Sequence, residues 1–294
     1  MTCLNSQFVK FVPNNILTTA DLSATTQVNY PIANCIDTRH SYAVLGEPDP
    51  AYPASSYVAV PDINIEATWD SLQRSDHIGF FWGNLSVGAT LRLRLYIDDS
   101  FATLVYDSGA TQALQFKTLL EVDWLLEPLI TPLDYPSNLG KNTDWAFDST
   151  LFQSAKLDIS NPTNTSGYIN VGTIYLGSSF VTQNVNIVSS SIQIIDQSAL
   201  TTSSDGSAVP ERNTNIAYQV GIDWESLDVG DRTLIEDNVL YSNSTHTPLM
   251  IDFHPSIDYA IRQKYFGIFY LTQQPTIPLD SNLLSGIGLQ FQRA

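Results

Sequence analysis

Hydrophobic residues in this chain fall mostly at every second position. The clearest run places Leu91, Leu93, Leu95 and Ile97 on one side and Arg92, Arg94, Tyr96 and Asp98 on the other, the period of a strand with one buried and one wet face. Short apolar segments flank it, Ile78 to Trp82 before and Ala102 to Tyr106 after, and Asn84 to Gly88, Asp98 to Ser100 and Asp107-Ser108-Gly109 supply turn residues. The pattern predicts a three-strand antiparallel meander, a scaffold without evident chemistry. The alternation recurs at Ile63, Ile65, Ala67 and Trp69, over Phe152 to Ile159, and at Ile169, Val171, Thr173 and Tyr175. Phe8 to Val12 reads as an edge strand or contact arm. Gly46 to Pro53 and Tyr135 to Trp145 read as loops, and Ala113 to Leu126, soon followed by Pro128, Pro132 and Pro136, as an irregular crossover. About eight strands up to Gly177 predict a two-sheet sandwich or jelly roll.

Beyond Ser178 the pattern changes. Val185 to Ile195 and the alternating Tyr218, Val220, Ile222 and Trp224 predict strands on either side of a polar stretch, Asp196 to Asn215. Val229 to Tyr241 is the best helix candidate: Asp228 can cap it, Asp231 sits in its first turn, and Ile235 and Val239 share a face. Strands follow at Leu249, Ile251 and Phe253, over Lys264 to Leu271, and at Ile287, Leu289 and Phe291. The expected fold class is mainly β: an N-terminal arm over 1–29, a jelly-roll sandwich over 30–177, and a smaller β-sandwich with one helix over 178–294.

Composition narrows the function classes. Only 15 % of residues are charged, and 30 Asp and Glu against 13 Lys and Arg leave a net charge of −17. Such a chain repels nucleic-acid phosphates, so neither DNA nor RNA is an expected partner. Cys3 and Cys35 have no CxxC or Cys/His spacing, so neither a metal site nor a disulfide framework is expected. No apolar run approaches the roughly 20 residues of a membrane span, which predicts no membrane insertion.

Candidate chemistry is sparse. His40, His77, His246 and His254 lie in no catalytic motif and read as ordinary polar residues. Asp98-Asp99 and Asp205-Gly206-Ser207 read as turns, since adjacent carboxylates point apart and no calcium-loop series follows. No catalytic residue and no cofactor is expected. The aromatics Tyr42, Tyr52, Tyr57, Trp82, Tyr135 and Trp145 lie in or near predicted loops at the sandwich ends, where rings can stack on sugar faces. Their alternative use is to pack loops onto the core or fill a neighbour's groove in an assembly, the use that aromatic enrichment at protein interfaces favours.

Several pieces together resemble tailed-bacteriophage virion proteins with a galactose-binding-like (discoidin-like) sandwich. They are Tyr30-Pro31-Ile32 through Asn34, Asp37 and Arg39; Trp82-Gly83-Asn84-Leu85-Ser86; Arg92-Leu93-Arg94; Phe101-Ala102-Thr103 through Tyr106-Asp107-Ser108-Gly109; and Gly167-Tyr168-Ile169 with Gly172 and Tyr175-Leu176-Gly177. From Tyr218 to Phe253 the pattern is similar to small sandwich-plus-helix domains of phage tail-tube and baseplate proteins. The resemblance implies a non-enzymatic structural component of the virion, present in several copies at the tail, baseplate or head–tail region. Its partners would be other phage structural proteins and copies of itself. A host-glycan-binding adhesion module and a capsid decoration protein are the alternatives. The chain departs from discoidin domains in one respect: Cys3 and Cys35 cannot tie the ends of the sandwich together.

Overall fold

The computed structural model describes residues 9–24, 32–36, 43–45, 47–48, 57–58, 62–81, 83, 85–86, 88–113, 142–162, 169–182, 187–196, 199–202, 208–211, 216–224, 227, 229–241, 247–253, 266–272 and 287–293. They form two compact units: one holds the described residues between 14 and 179, the other those before 14 and after 179. The fold is mainly β. Strand β1 (Lys10–Val12) belongs to the second of these units.

The first unit contains β2 (Asp21–Ala24), β3 (Ala43–Leu45), β4 (Glu47–Pro48), β5 (Tyr57–Val58), β6 (Asp62–Phe81), β7 (Thr90–Tyr96), β8 (Leu104–Asp107), β9 (Thr111–Gln112), β10 (Thr143–Ser160), β11 (Ile169–Val171) and β12 (Thr173–Gly177). The main sheet runs β12-β6-β10-β7-β8, with β2 on β6 and β9 on β7. β6 spans 20 residues; straight, it would run about 66 Å, too long for a unit of this size, so it has to bend. Its antiparallel ladder with β10 shifts register twice, between Ala146 and Thr150 and between Phe152 and Ser154. Trp69 and Phe152 meet there edge to face at 5.4 Å, and the Trp69 indole N–H donates to the Ile16 carbonyl at 2.9 Å.

The core shows how the bent ladder makes two layers. On one side of the shifts, three rungs stack Ile63, Ile159 and Leu91; Ile65, Leu157 and Leu93; Ala67, Ala155 and Leu95, all buried. On the other side Ile78 and Phe80 of β6 lie beside Leu176 and Ile174 of β12. Residues from both sides line one apolar cavity of about 30 Å³, together with Leu17, Leu22, Cys35 and Ile36. The two alanines on one rung leave that space. A void lined almost wholly by hydrocarbon offers water no partners and stays dry.

The expected meander over 78–109 is not what forms. β7 pairs with β8 as predicted, but β10 stands between β6 and β7. Sequence proximity lost to complementarity: β10 presents an apolar row that fits both neighbours, rung by rung. The alternation also ends early, since Tyr96 is buried and Ile97 exposed. Of the loop expected over Tyr135 to Trp145, Thr143 to Trp145 belong to β10 instead, and Tyr135 to Lys141 lie outside the described residues. β11 and β12, read as one strand, break at Gly172, and β11 pairs instead with β3.

In the second unit one antiparallel sheet runs β13-β1-β18-β19-β20-β17-β14, from β13 (Phe180–Val181), β14 (Ile187–Asp196), β17 (Ile216–Trp224), β18 (Leu249–Asp252), β19 (Phe266–Leu271) and β20 (Ile287–Arg293). β15 (Ala199–Thr202) and β16 (Ala208–Glu211) make the hairpin inside the expected polar stretch. The helix α1 (Val229–Ile235) continues as a π-turn over Glu236–Tyr241. Ile235 and Val239, fully buried, join Val220, Ile222, Leu289 and Phe291 in one cluster, the contact their spacing predicts. Within the stretch expected as an arm over 1–29, the described residues enter both units. Phe11 is 0 % exposed and β1 is paired on both edges, to β13 and β18. Asn15, meanwhile, ties the following segment to β12 of the first unit: its amide donates to the Ile174 carbonyl at 2.9 Å and its Oδ1 accepts from Leu176 N–H at 3.1 Å.

Candidate functional site

In β10 the large aromatics Trp145 and Phe147 stand two apart, with the small Ala146 between them, which puts both on one face. Trp145 lies opposite Ile78, so that face is the core face. Beyond Ala146 the ladder is bulged: Phe147, Asp148 and Ser149 stand opposite the single residue Asp76. A bulge re-aims side chains and ends regular pairing. Here Phe147 meets Tyr106 of β8, stacked at 4.6 Å between centroids and 24° between planes. Tyr106 reaches the same side because it lies opposite Leu95, a core residue. Tyr106, Phe147 and Trp145 all pack against the sandwich core while remaining partly exposed. They form an aromatic rim on the sandwich.

Charged groups cover the other face of the sheet, alternating with the core residues Leu91, Leu93 and Leu95. Arg92 grips the neighbouring Asp107 with two hydrogen bonds, Nε to Oδ1 at 2.8 Å and Nη2 to Oδ2, and Gly109 N–H adds a third at 2.9 Å. Gly109 makes that approach at φ +66°, backbone that glycine adopts without penalty. The Arg92 pairing holds the Asp107 carboxyl down at about 2. Across the sheet Arg94 Nη2 bonds Asp158 Oδ1 at 2.7 Å, and Lys156 Nζ bonds Glu66 Oε1 at 2.6 Å. Asp148, at the bulge, is exposed, and its carbonyl accepts the Thr150 hydroxyl at 2.6 Å. Burial pushes the Tyr106 phenol up, the Trp145 indole opposes this, and Asp107 and Asp148 add to the rise. The rim offers flat apolar faces, with the exposed Asp148 adjacent to Phe147 in the bulge, a surface suited to stacking.

Among the described residues, Trp145 is the aromatic singled out from the sequence that enters this rim, and it does so from a strand rather than a loop. Tyr57 lies in β5, where its backbone pairs with Pro48; Tyr42, Tyr52, Trp82 and Tyr135 lie outside the described residues, as do His40, His246, His254 and Asp205 to Ser207. Tyr106 and Phe147 were missed. The signal is present, since Trp145 and Phe147 show a strand's period of two, but the expected loop over Tyr135 to Trp145 ends between them and hides it. His77 is buried, its Nε2 2.9 Å from Asp144 Oδ2, which makes it structural. Asp98 is a turn residue as expected: its carboxylate accepts from Ala102 N–H, Thr103 N–H and the Ser100 hydroxyl at 2.7–2.8 Å.

No family model and no curated protein matches this chain. Solved structures similar to it include a chitosan-binding module from a chitosanase/glucanase of Paenibacillus sp. IK-5, 10 % identical over 55 % of this chain and 98 % of that one at a TM-score of 0.36. A Streptococcus pneumoniae fucose binding module is 9 % identical over 56 % and 95 % at 0.34. A Clostridium perfringens module in complex with GalNAc-β-1,3-galactose is 10 % identical over 57 % and 99 % at 0.35.

Proposed function

We propose that this chain is a non-catalytic recognition protein whose sandwich holds carbohydrate against Tyr106, Phe147 and Trp145. The observation that carries the reading is the stacked, partly exposed aromatic rim at a bulge in an otherwise regular strand. A protein core has no need to leave three large rings on its edge, whereas a sugar ring presents an apolar face that such rings cover. Their anchoring in the core holds the rings ready, so little ordering cost falls on binding. Isothermal titration against hits from a glycan array tests this. Wild-type protein is expected to bind, and Phe147→Ala to weaken binding about tenfold or more; Phe147→Leu, which keeps core packing, separates lost contact from lost stability. Binding that survives the loss of both Phe147 and Trp145 rings would place recognition elsewhere.

The setting we propose is a tailed-phage virion, carried by the sequence resemblance from Tyr30 to Gly177. Several copies would sit at the tail, baseplate or head–tail region, with the sandwich outward and the helix-bearing unit docked on neighbouring structural proteins. Cryo-electron microscopy of the particles checks it: density in rings around the tail supports the setting, density on the shell makes this a decoration protein, and absence from particles removes it.

A further inference from the structure

The cavity in the sandwich core is held open by the elements around it. β6, β7, β10 and β12 supply its wall, and the turns Ile16–Thr19 and Ile32–Ile36 lie over it with β2 as a lid. The opposed Ala67 and Ala155 leave the space. On the wall side, the bend beyond Ala67 is fixed by Trp69, whose indole N–H is bound to the Ile16 carbonyl. On the lid side, Asn15 bonds the backbone of Ile174 and Leu176, two residues of the wall. Lid and wall are thus pinned to each other, and a void whose surroundings cannot collapse keeps its volume. Among the described residues that line it, Cys35 alone brings a heteroatom in its side chain, and a thiol is a weak donor and a weak acceptor.

We infer that this cavity is a binding site for a nonpolar ligand of one or two heavy atoms, xenon or dioxygen in size. Carbohydrate binding at the rim neither requires nor excludes it. Volume sets the size: the cavity, about 30 Å³, is about a fifth of the roughly 150 Å³ that admits benzene, so aromatic rings are too large. Lining sets the chemistry. A polar or charged molecule would lose its hydration and find no partner in return. A nonpolar one gives up little on leaving water, and it gains dispersion contacts with wall atoms that otherwise face empty space. The approach lies through the lid, where Leu22 and Ile36 are half-buried while the wall residues are buried.

Methyl NMR of the full chain under rising xenon pressure tests this. The methyl shifts of Leu93, Leu157 and Ile174, which line the cavity, are expected to move and saturate. Those of Val239 and Leu289, in the core of the other unit, should stay in place. Ala155→Val puts two more methyl groups into the void and should abolish the saturable shift. Cys35→Ala enlarges the void and should bring saturation at lower xenon pressure, which decides the matter even where Ala155→Val does not fold. Shifts that drift linearly with pressure at cavity and control methyls alike overturn the inference. So does a saturation that the substitutions leave unchanged.

Discussion

Asp98 shows how one side chain can hold a loop in place. Its carboxylate takes three donors in the turn after β7, and these hydrogen bonds, the Ala102 N–H foremost, lower its pKa to about 2. The folded value lies below the unfolded one of about 3.9, so the stabilisation is fully present above pH 4 and is lost as pH falls through 2. The amide shifts of Ala102 and Thr103 are thus expected to titrate together with a midpoint near 2; a midpoint near 4 would show that the cap does not form. In the same turn Phe101 has φ +58°, a left-handed conformation that costs a side-chain-bearing residue about 1–2 kcal/mol. Two contacts offset this: Tyr96 edge to face at 5.6 Å and the Lys156 ammonium 4.2 Å above the ring. Each is worth about 0.5–1.5 kcal/mol. Asn15 is the other decisive single residue. Besides its bonds to β12, it caps the turn Ile16–Thr19 through Leu17 N–H, and Asn15→Ala is expected to cost about 1–3 kcal/mol in denaturant unfolding.

Elements here are shaped by their irregularities. The β6–β10 ladder bends at its register shifts, and Phe152 fills the bend, fully buried, while its neighbour Leu151 is 50 % exposed. Phe152→Ala is expected to cost about 3–5 kcal/mol and Leu151→Ala less than about 0.5 kcal/mol, a contrast that equilibrium unfolding measures directly. In the helix-bearing unit the sheet depends on a close approach. A Cβ on Gly288 would stand 2.6 Å from Asp223 Oδ1, because the two residues lie opposite each other in β20 and β17. Gly288→Ala would force that carboxylate or the strand to move.

For the whole molecule, the chain's beginning matters to its end. β1 lies between β13 and β18, and Phe11 stacks on Phe180 at 5.2 Å and approaches Phe291 at 6.3 Å. Removing residues 1–13 is expected to raise amide exchange in β13 and β18, each of which would lose a hydrogen-bonded neighbour. Unchanged exchange there would show that the sheet does without β1. In the sandwich, Cys35 lines the cavity, and burial pushes its thiol up to about 12. The native thiol should therefore resist alkylation at pH 8 and react once denaturant opens the core.

Much of this was legible in the sequence because local periodicity records which face of an element is buried. Leu91, Leu93 and Leu95, the pair Ile235 and Val239, and the alternating Val220, Ile222 and Trp224 all face cores, as their spacing required. Turn chemistry at Asp98 and Asp107-Ser108-Gly109 was legible for the same reason, since side chains there bond their own backbone. Pairing was not legible. That β10 would separate β6 from β7, or that β1 would enter a sheet built from the far end of the chain, depends on matching surfaces distant in sequence, and no local pattern carries that match. The aromatic rim shares this limit: Trp145 and Phe147 belong to one strand, but only the bend and bulge of the folded sheet bring Tyr106 onto Phe147.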